Sequence, residues 1–461
     1  MTDKTQPFDP ALELAQIDFA NEGNSGRAIS SDELPQFVQQ ACERQSAWDI
    51  HTHLYPPTFG TPNLNFSSNP DPHGLLLFGI DDLVTYHYLI AELFRFIPES
   101  KLTHEQFWKL TRREQADLVW KTLFVDRTPL SEACRGVVTT LEKLGLDPNE
   151  RSLEPYRSFF AEQDPDLYID HVMRLANISA ITMTNAIFDL NENRRWQSGE
   201  VRPDARFKST LRIDPLVCDF PAAARQLNLW GYPCGDSADT RTLDEIKRFV
   251  NHWLDLTRSV YVALSLPPEF EFPAGRLPAD RAAGLTVLEK VILPICAHRQ
   301  LPLALMIGSR RRVVPSLRDA GDMVGHSHIE AVVNLCRLHT QNKFLVTMLS
   351  RENQHELCVA ARKFQNLMPF GCWWFVNVPS LIDEITMMRL ELLGTSFIPQ
   401  HSDARVLDQL IYKWEHSRGR IAGCLTEMYR RIAPTRRITK TQILRDVQAL
   451  FSGNAERFIN P

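Results

Sequence analysis

The sequence predicts an α/β fold: a (β/α)8 TIM barrel with a mostly helical insertion after strand one. Three observations predict it. The first is a series of eight short apolar runs rich in Val, Ile, Leu and Thr, at residues 47–51, 178–182, 208–213, 260–264, 301–306, 343–348, 368–373 and 395–399. Runs that are nearly continuous, rather than alternating, suit parallel strands buried on both faces. The second is that amphipathic stretches separate several of them, such as 285–298 (LTVLEKVILPICAH) and 329–338 (IEAVVNLCRL). Strand–helix alternation builds parallel sheets, either closed barrels or doubly wound open ones. Counting alone does not separate the two, and the barrel is preferred. The third observation is uneven spacing. The gap between the first two runs far exceeds the ~30 residues of a βα unit.

Helical patterns at 81–96, 103–120, 130–144 and 165–175 fill that gap. Residues 58–166 therefore read as a helical insertion within a barrel domain of 36–461, preceded by an N-terminal extension, 1–35, with a flexible joint expected at 21–26. Residues 438–451 read as a closing helix.

Composition narrows the function classes. The 461 residues are 44% hydrophobic and 23% charged, ordinary for a globular protein, and the net charge is −5. Nothing global favours nucleic acid, and the basic clusters at 310–312 and 436–437 are too short to make a binding stripe. No apolar run approaches the ~18 residues of a membrane span, and the start lacks the apolar core of a signal peptide. Nine cysteines without a CxxC pair argue for reduced thiols. The expectation is a cytoplasmic protein binding neither nucleic acid nor membrane; a homo-oligomer is compatible with it.

Five segments carry chemistry. In Trp48-Asp49-Ile50-His51-Thr52-His53, residues two apart on a strand share a face, so His51 and His53 can hold one metal ion at the barrel mouth. Two hydrogen-bonded surface histidines are the plainer explanation. In Pro399-Gln400-His401-Ser402-Asp403-Ala404-Arg405, Asp403 can complete a two-His, one-carboxylate site, or Ser402 or Asp403 can cap a helix over 406–414. Arg310, Arg351 and Arg405 follow the fifth, sixth and eighth runs, and converging guanidinium groups imply an anionic substrate. Trp373 and Trp374 follow the seventh run, where they can stack on a sugar or simply fill core. Finally, Tyr86-His87-Tyr88 in the insertion offers proton-transfer groups.

In order along the chain, these segments resemble the uronate isomerases of the amidohydrolase superfamily. The family shows HxH after strand one, His-Tyr in the insertion, HxGxxR after strand five, a tryptophan pair after strand seven and Asp-x-Arg after strand eight. Here they read His51-Thr52-His53, His87-Tyr88, 305–310 (LMIGSR), Trp373-Trp374 and Asp403-Ala404-Arg405; 349–353 (LSREN) and 453–458 (GNAERF) are similar to further family segments. The resemblance implies one divalent metal, zinc first and otherwise Mn, Fe or Co, held by His51, His53 and Asp403. It implies a small sugar acid as partner, with Arg310, Arg351, Trp373 and Arg405 binding it. It also implies conversion of glucuronate to fructuronate, or galacturonate to tagaturonate, through an enediolate, with Asp403, His87 and Tyr88 moving the protons. One departure stands out: Met306 occupies the position of the family's strand-five histidine, and a thioether transfers no proton. His326 or His328 could compensate, or they simply pack. The departure keeps an alternative open, in which the same barrel is a hydrolase or decarboxylase using metal-bound hydroxide on a carboxylate-bearing molecule.

Overall fold

The computed structural model describes residues 28–62, 71, 73–273 and 279–460. The strands are β1 (Ala47–Thr52), β2 (Ile178–Asn185), β3 (Phe207–Arg212), β4 (Val262–Leu266), β5 (Leu303–Ile307), β6 (Ser309–Arg310), β7 (Met323–Val324), β8 (Phe344–Met348) and β9 (Leu367–Pro369). Seven of them form a parallel sheet in the order β1-β2-β3-β4-β5-β8-β9, while β6 and β7 pair as a separate antiparallel hairpin. The order follows the chain because each strand is followed by a crossover that returns it to the same edge.

The eighth stave is not a strand. The run expected at 395–399 contributes a single parallel bridge, Phe370 with Ile398. Pro399 follows at once and has no amide hydrogen to continue a ladder. The ring still closes: Ile398 N–H donates to Pro369 O (3.0 Å) and Gly371 N–H to Ile398 O (2.8 Å) on one side. On the other, His53 N–H donates to Ala404 O (2.7 Å) and Asp403 N–H to His51 O (3.1 Å). The result is a closed TIM barrel.

Two apolar layers hold it. Trp48, Ile50, Tyr261, Ala304, Leu345 and Phe370 fill the inside of the barrel, and Ala455 and Ile459 of the last helix, Asn454–Ile459, join that cluster. The outward residues, Ile181, Leu264, Leu305 and Val346 among them, pack into the large cluster shared with the helices. Asn454 anchors the final helix by donating to Thr395 O (2.6 Å) and Phe397 O (2.7 Å).

Between β1 and β2 the described residues are mostly helical. The pattern at 81–96 splits into Ile80–Val84 and His87–Phe96, because Tyr86 takes an extended conformation as N-cap. The pattern at 103–120 splits because Thr103 and Thr111 each begin a capping box, with Gln106 and Glu114 as partners. Helix Glu154–Ala161, with Pro155 in its first turn, was not among the expected elements. The joint expected at 21–26 lies outside the described residues. Among the described residues no helix is long and apolar enough to cross a membrane, and all nine cysteines are free thiols.

Candidate active site

A break in strand geometry places the histidines. Trp48 and Ile50 point into the barrel, so strict alternation would turn His51 and His53 outward. Instead the β1–β2 pairing slips between Asp49 and Thr52: Asp49 faces Ile181 and Thr52 faces Met183, three steps against two. Such a bulge re-aims side chains. His51 consequently turns inward, its Nδ1 3.3 Å from Thr184 Oγ1 and 3.5 Å from the Tyr261 hydroxyl. With Nδ1 engaged there, Nε2 faces the mouth.

Asp403 meets the histidines from the closing segment. Its Oδ1 lies 3.5 Å from His51 Nε2 and 3.3 Å from His53 Nε2, and one ligand atom from each residue falls within 4.8 Å of the others. Asp403 has a left-handed φ of 53°, a strained state for a non-glycine residue and one that clusters at functional sites. The helix that follows starts only at Gln409, with Asp408 as its N-cap residue, so neither Ser402 nor Asp403 caps it. Asp49 braces the pair from behind. Buried, it accepts from Ser402 N–H (3.1 and 3.2 Å) and Trp414 Nε1–H (2.9 Å).

The charge states suit a cation. Burial pushes the His53 imidazolium down to about 3, leaving its nitrogen lone pair free. Burial would raise the Asp403 carboxyl, but the two imidazoles facing it hold it well below the usual range. Asp403 Oδ1 is buried and accepts no well-formed hydrogen bond. An anionic oxygen of that kind beside the ring nitrogens of two histidines fits a divalent ion better than it fits an apoprotein. His401, fully buried with both ring nitrogens unpartnered, lies 5.2 Å from His51, ring centre to ring centre. Its ring occupies the space a side chain on Gly371 would need: a Cβ there would sit 1.9 Å from His401 Cδ2.

Around this group is a tight cleft, with room for only about 10 Å³, lined by His51, His53, His87, Arg212, Ser265, Met306, Arg311, Trp373, Trp374, Asp403 and Arg405. Larger hollows elsewhere, about 470 Å³ beside Trp196 and Lys208 and about 570 Å³ beside Lys247 and Lys290, gather no such set of ligands.

The structure sorts the sequence candidates. His51, His53, His87, Trp373, Asp403 and Arg405 line the cavity. Arg310 does not: on hairpin β6–β7 its side chain points away, 3.7 Å from Glu269, and its neighbour Arg311 enters the mouth instead. Arg351 also lies outside, paired to Glu384 at 3.0 Å. Tyr88 packs behind His87 (4.6 Å) and beside Phe375 (6.2 Å), its hydroxyl buried without a partner. Burial holds His87 neutral, well below the usual imidazole range, and raises the Tyr88 phenol. His326 and His328 are exposed and outside the lining. Arg212 was missed, although it lies within the expected strand 208–213 and ends β3. Its Nε–H donates to Asp214 Oδ2 (2.6 Å) and its Nη2–H to Ser265 Oγ (3.1 Å).

No protein-family model matches the chain, and no curated protein sequence does. Solved structures do. A uronate isomerase from Bacillus halodurans C-125 superposes with a TM-score of 0.87 at 46% identity, covering 94% of this chain and 97% of that one. A uronate isomerase from Thermotoga maritima matches with a TM-score of 0.71 at 15% identity, covering 94% and 100%. A glucuronate isomerase from Caulobacter crescentus matches at 0.70 and 14%, covering 93% and 94%. These last two show likeness of fold. At 46% identity over nearly the whole of both chains, the first shows descent, and the protein belongs to the uronate isomerase family.

Proposed function

We propose that the protein isomerises a hexuronate between aldose and ketose forms, with glucuronate and galacturonate as the first candidates. The observation that carries this is the convergence of His51, His53 and Asp403 with Arg212, Arg311 and Arg405 in one small cavity. Three guanidinium groups suit a carboxylate-bearing sugar, and a His-His-Asp triplet suits a divalent metal. Zinc is the first candidate, with Mn, Fe and Co as alternatives. Such an ion, held by His51, His53 and Asp403, would act as a Lewis acid toward the sugar's carbonyl and neighbouring hydroxyl.

The rest falls to the chain. The reaction moves one proton from C2 to C1 and exchanges carbonyl and hydroxyl between them, with no net redox change. Asp403, held ionised, takes the C2 proton. Neutral His87, with Tyr88 behind it, returns a proton at C1. Arg311 and Arg405 hold the carboxylate and hydroxyls, and Arg212 stands ready on the opposite wall, fixed by Asp214. Trp373 and Trp374 keep bulk water from the enediolate. In domain terms, we read 58–166 as an insertion within a barrel domain of 36–461 and 1–35 as an extension.

Proton NMR in D2O tests the reading. Metal-reconstituted protein is expected to convert glucuronate or galacturonate to ketose with deuterium entering at C2 or C1. Absence of both exchange and ketose from either sugar acid, with metal confirmed bound, refutes it. The buried Met306 at the position of a family histidine is the reason to try sugar-acid lactones and esters next.

A further inference from the structure

Three consecutive arginines, Arg310, Arg311 and Arg312, follow the turn out of β5, yet only one lines the cavity. A single buried carboxylate accounts for the choice. Asp322 sits on the returning arm of the hairpin with its side chain 1% exposed. Its Oδ2 accepts from Arg311 Nη1–H at 2.6 Å, and its Oδ1 accepts from the backbone N–H of Arg312 at 2.6 Å. The second bond fixes Arg312 in a left-handed turn, φ 51°, so that the chain folds back directly after Arg311. The first holds the Arg311 guanidinium 5.3 Å from the Trp374 ring centre, at the cavity wall. Arg310, by contrast, has only an exposed glutamate 3.7 Å away. A long side chain that is nearly half exposed loses many rotamers when it binds an anion, and a buried hydrogen-bonded partner removes that loss beforehand.

The hairpin itself is held in place. It leaves β5 through Gly308, φ 119°, and returns at Gly325, whose N–H donates to Gly308 O at 2.9 Å. Its tip meets the insertion, where Trp108 Nε1–H donates to Ser316 O at 2.8 Å. Asp322 therefore acts from a braced platform.

We propose that Asp322 is the positioning residue that selects Arg311, out of three consecutive arginines, as the guanidinium presented to the substrate's carboxylate. This rests on the isomerase reading above and deepens it, since it assigns recognition of the acid group to one residue and its holder.

The experiment uses the metal-loaded enzyme. It measures kcat and KM on the active uronate, with calorimetric affinity for the matching aldonate and for the hexitol, which lacks the carboxylate. Asp322→Asn is expected to raise KM and weaken aldonate binding about tenfold or more, with kcat within threefold and hexitol affinity unchanged. Asp322→Glu should recover part of the loss, and adding Asp322→Asn to Arg311→Ala should cost nothing further. Should the Asp322 variants not fold, single alanine variants of the three arginines decide: only Arg311→Ala should lose aldonate affinity. Wild-type KM and aldonate affinity in Asp322→Asn, additive losses in the double variant, or an equal loss in Arg310→Ala or Arg312→Ala would overturn the proposal alone. A wild-type enzyme that neither converts a uronate nor binds the aldonate would overturn the isomerase reading with it.

Discussion

Asp49 shows how much a residue can do without meeting substrate. It is buried, and its two oxygens gather Ser402 N–H and Trp414 Nε1–H, which sets the backbone that delivers Asp403 to the histidines. Asparagine in its place keeps the shape but offers one accepting oxygen and no charge. Asp49→Asn is therefore expected to weaken metal binding about 10–100-fold and to cost about 1.5–3 kcal/mol of stability, measured by metal titration and denaturant unfolding. Unchanged metal affinity would show that Asp403 finds its place without this brace. Met306, 1% exposed in the same cavity, marks the opposite case. It fills volume where the family resemblance expects a proton carrier, so the proposed isomerisation assigns the proton work to Asp403 and His87.

At the scale of elements, ties between neighbouring segments decide where site residues stand. After β1 the chain is tied to the segment after β2 by Glu192, whose Oε2 accepts from the Tyr55 hydroxyl (2.6 Å) and Ala186 N–H (2.8 Å). Burial raises this carboxyl from 4.5 to about 7. Between those values the folded protein holds a proton that the unfolded chain has released, so stability is fully present below pH 4.5 and falls as pH rises toward 7. The drop from this group is on the order of 3 kcal/mol. Glu192→Gln keeps an acceptor without the titration, and urea unfolding at a series of pH values should show its stability flatter than wild type across that window. Equal slopes in the two proteins would mean that Glu192 stays ionised. Arg389, itself buried, is a second tie: it donates to Gly371 O (2.9 Å), beside the bridge that joins β9 to the eighth stave.

For the whole molecule, three proposed ligands drawn from both ends of the barrel sequence would link metal binding to global stability. A metal at a hundred times its dissociation constant adds about 2.7 kcal/mol. At ~2.1 cal/mol/K of unfolding entropy per residue, that is about 3 °C for a chain of this length. Chelation is expected to lower Tm by that amount, read by calorimetry, with recovery on adding zinc or manganese; a Tm indifferent to chelator would argue against a bound ion. Much of the fold was legible in the sequence, because near-continuous apolar runs have few uses other than doubly covered parallel strands, and seven of the eight expected became strands; five match within two residues at both ends, while β2 runs three residues further and β9 ends four residues earlier than expected. The HxH pair, Asp403 and the aromatic pair were legible too, since residue type and position after a strand constrain them locally. Three things were decided only by tertiary structure. The bulge that turns His51 and His53 inward depends on pairing with β2, more than a hundred residues away. HxGxxR spacing counted from Met306 and Gly308 reaches Arg311, but the hold on its side chain depends on Asp322 across a hairpin. The eighth stave closes through hydrogen bonds to the first, which no local pattern encodes. Local propensity and periodicity thus determined which segments are strands and helices, whereas the direction of individual side chains followed from long-range partners, because a one-residue slip in register reverses every side chain that follows it.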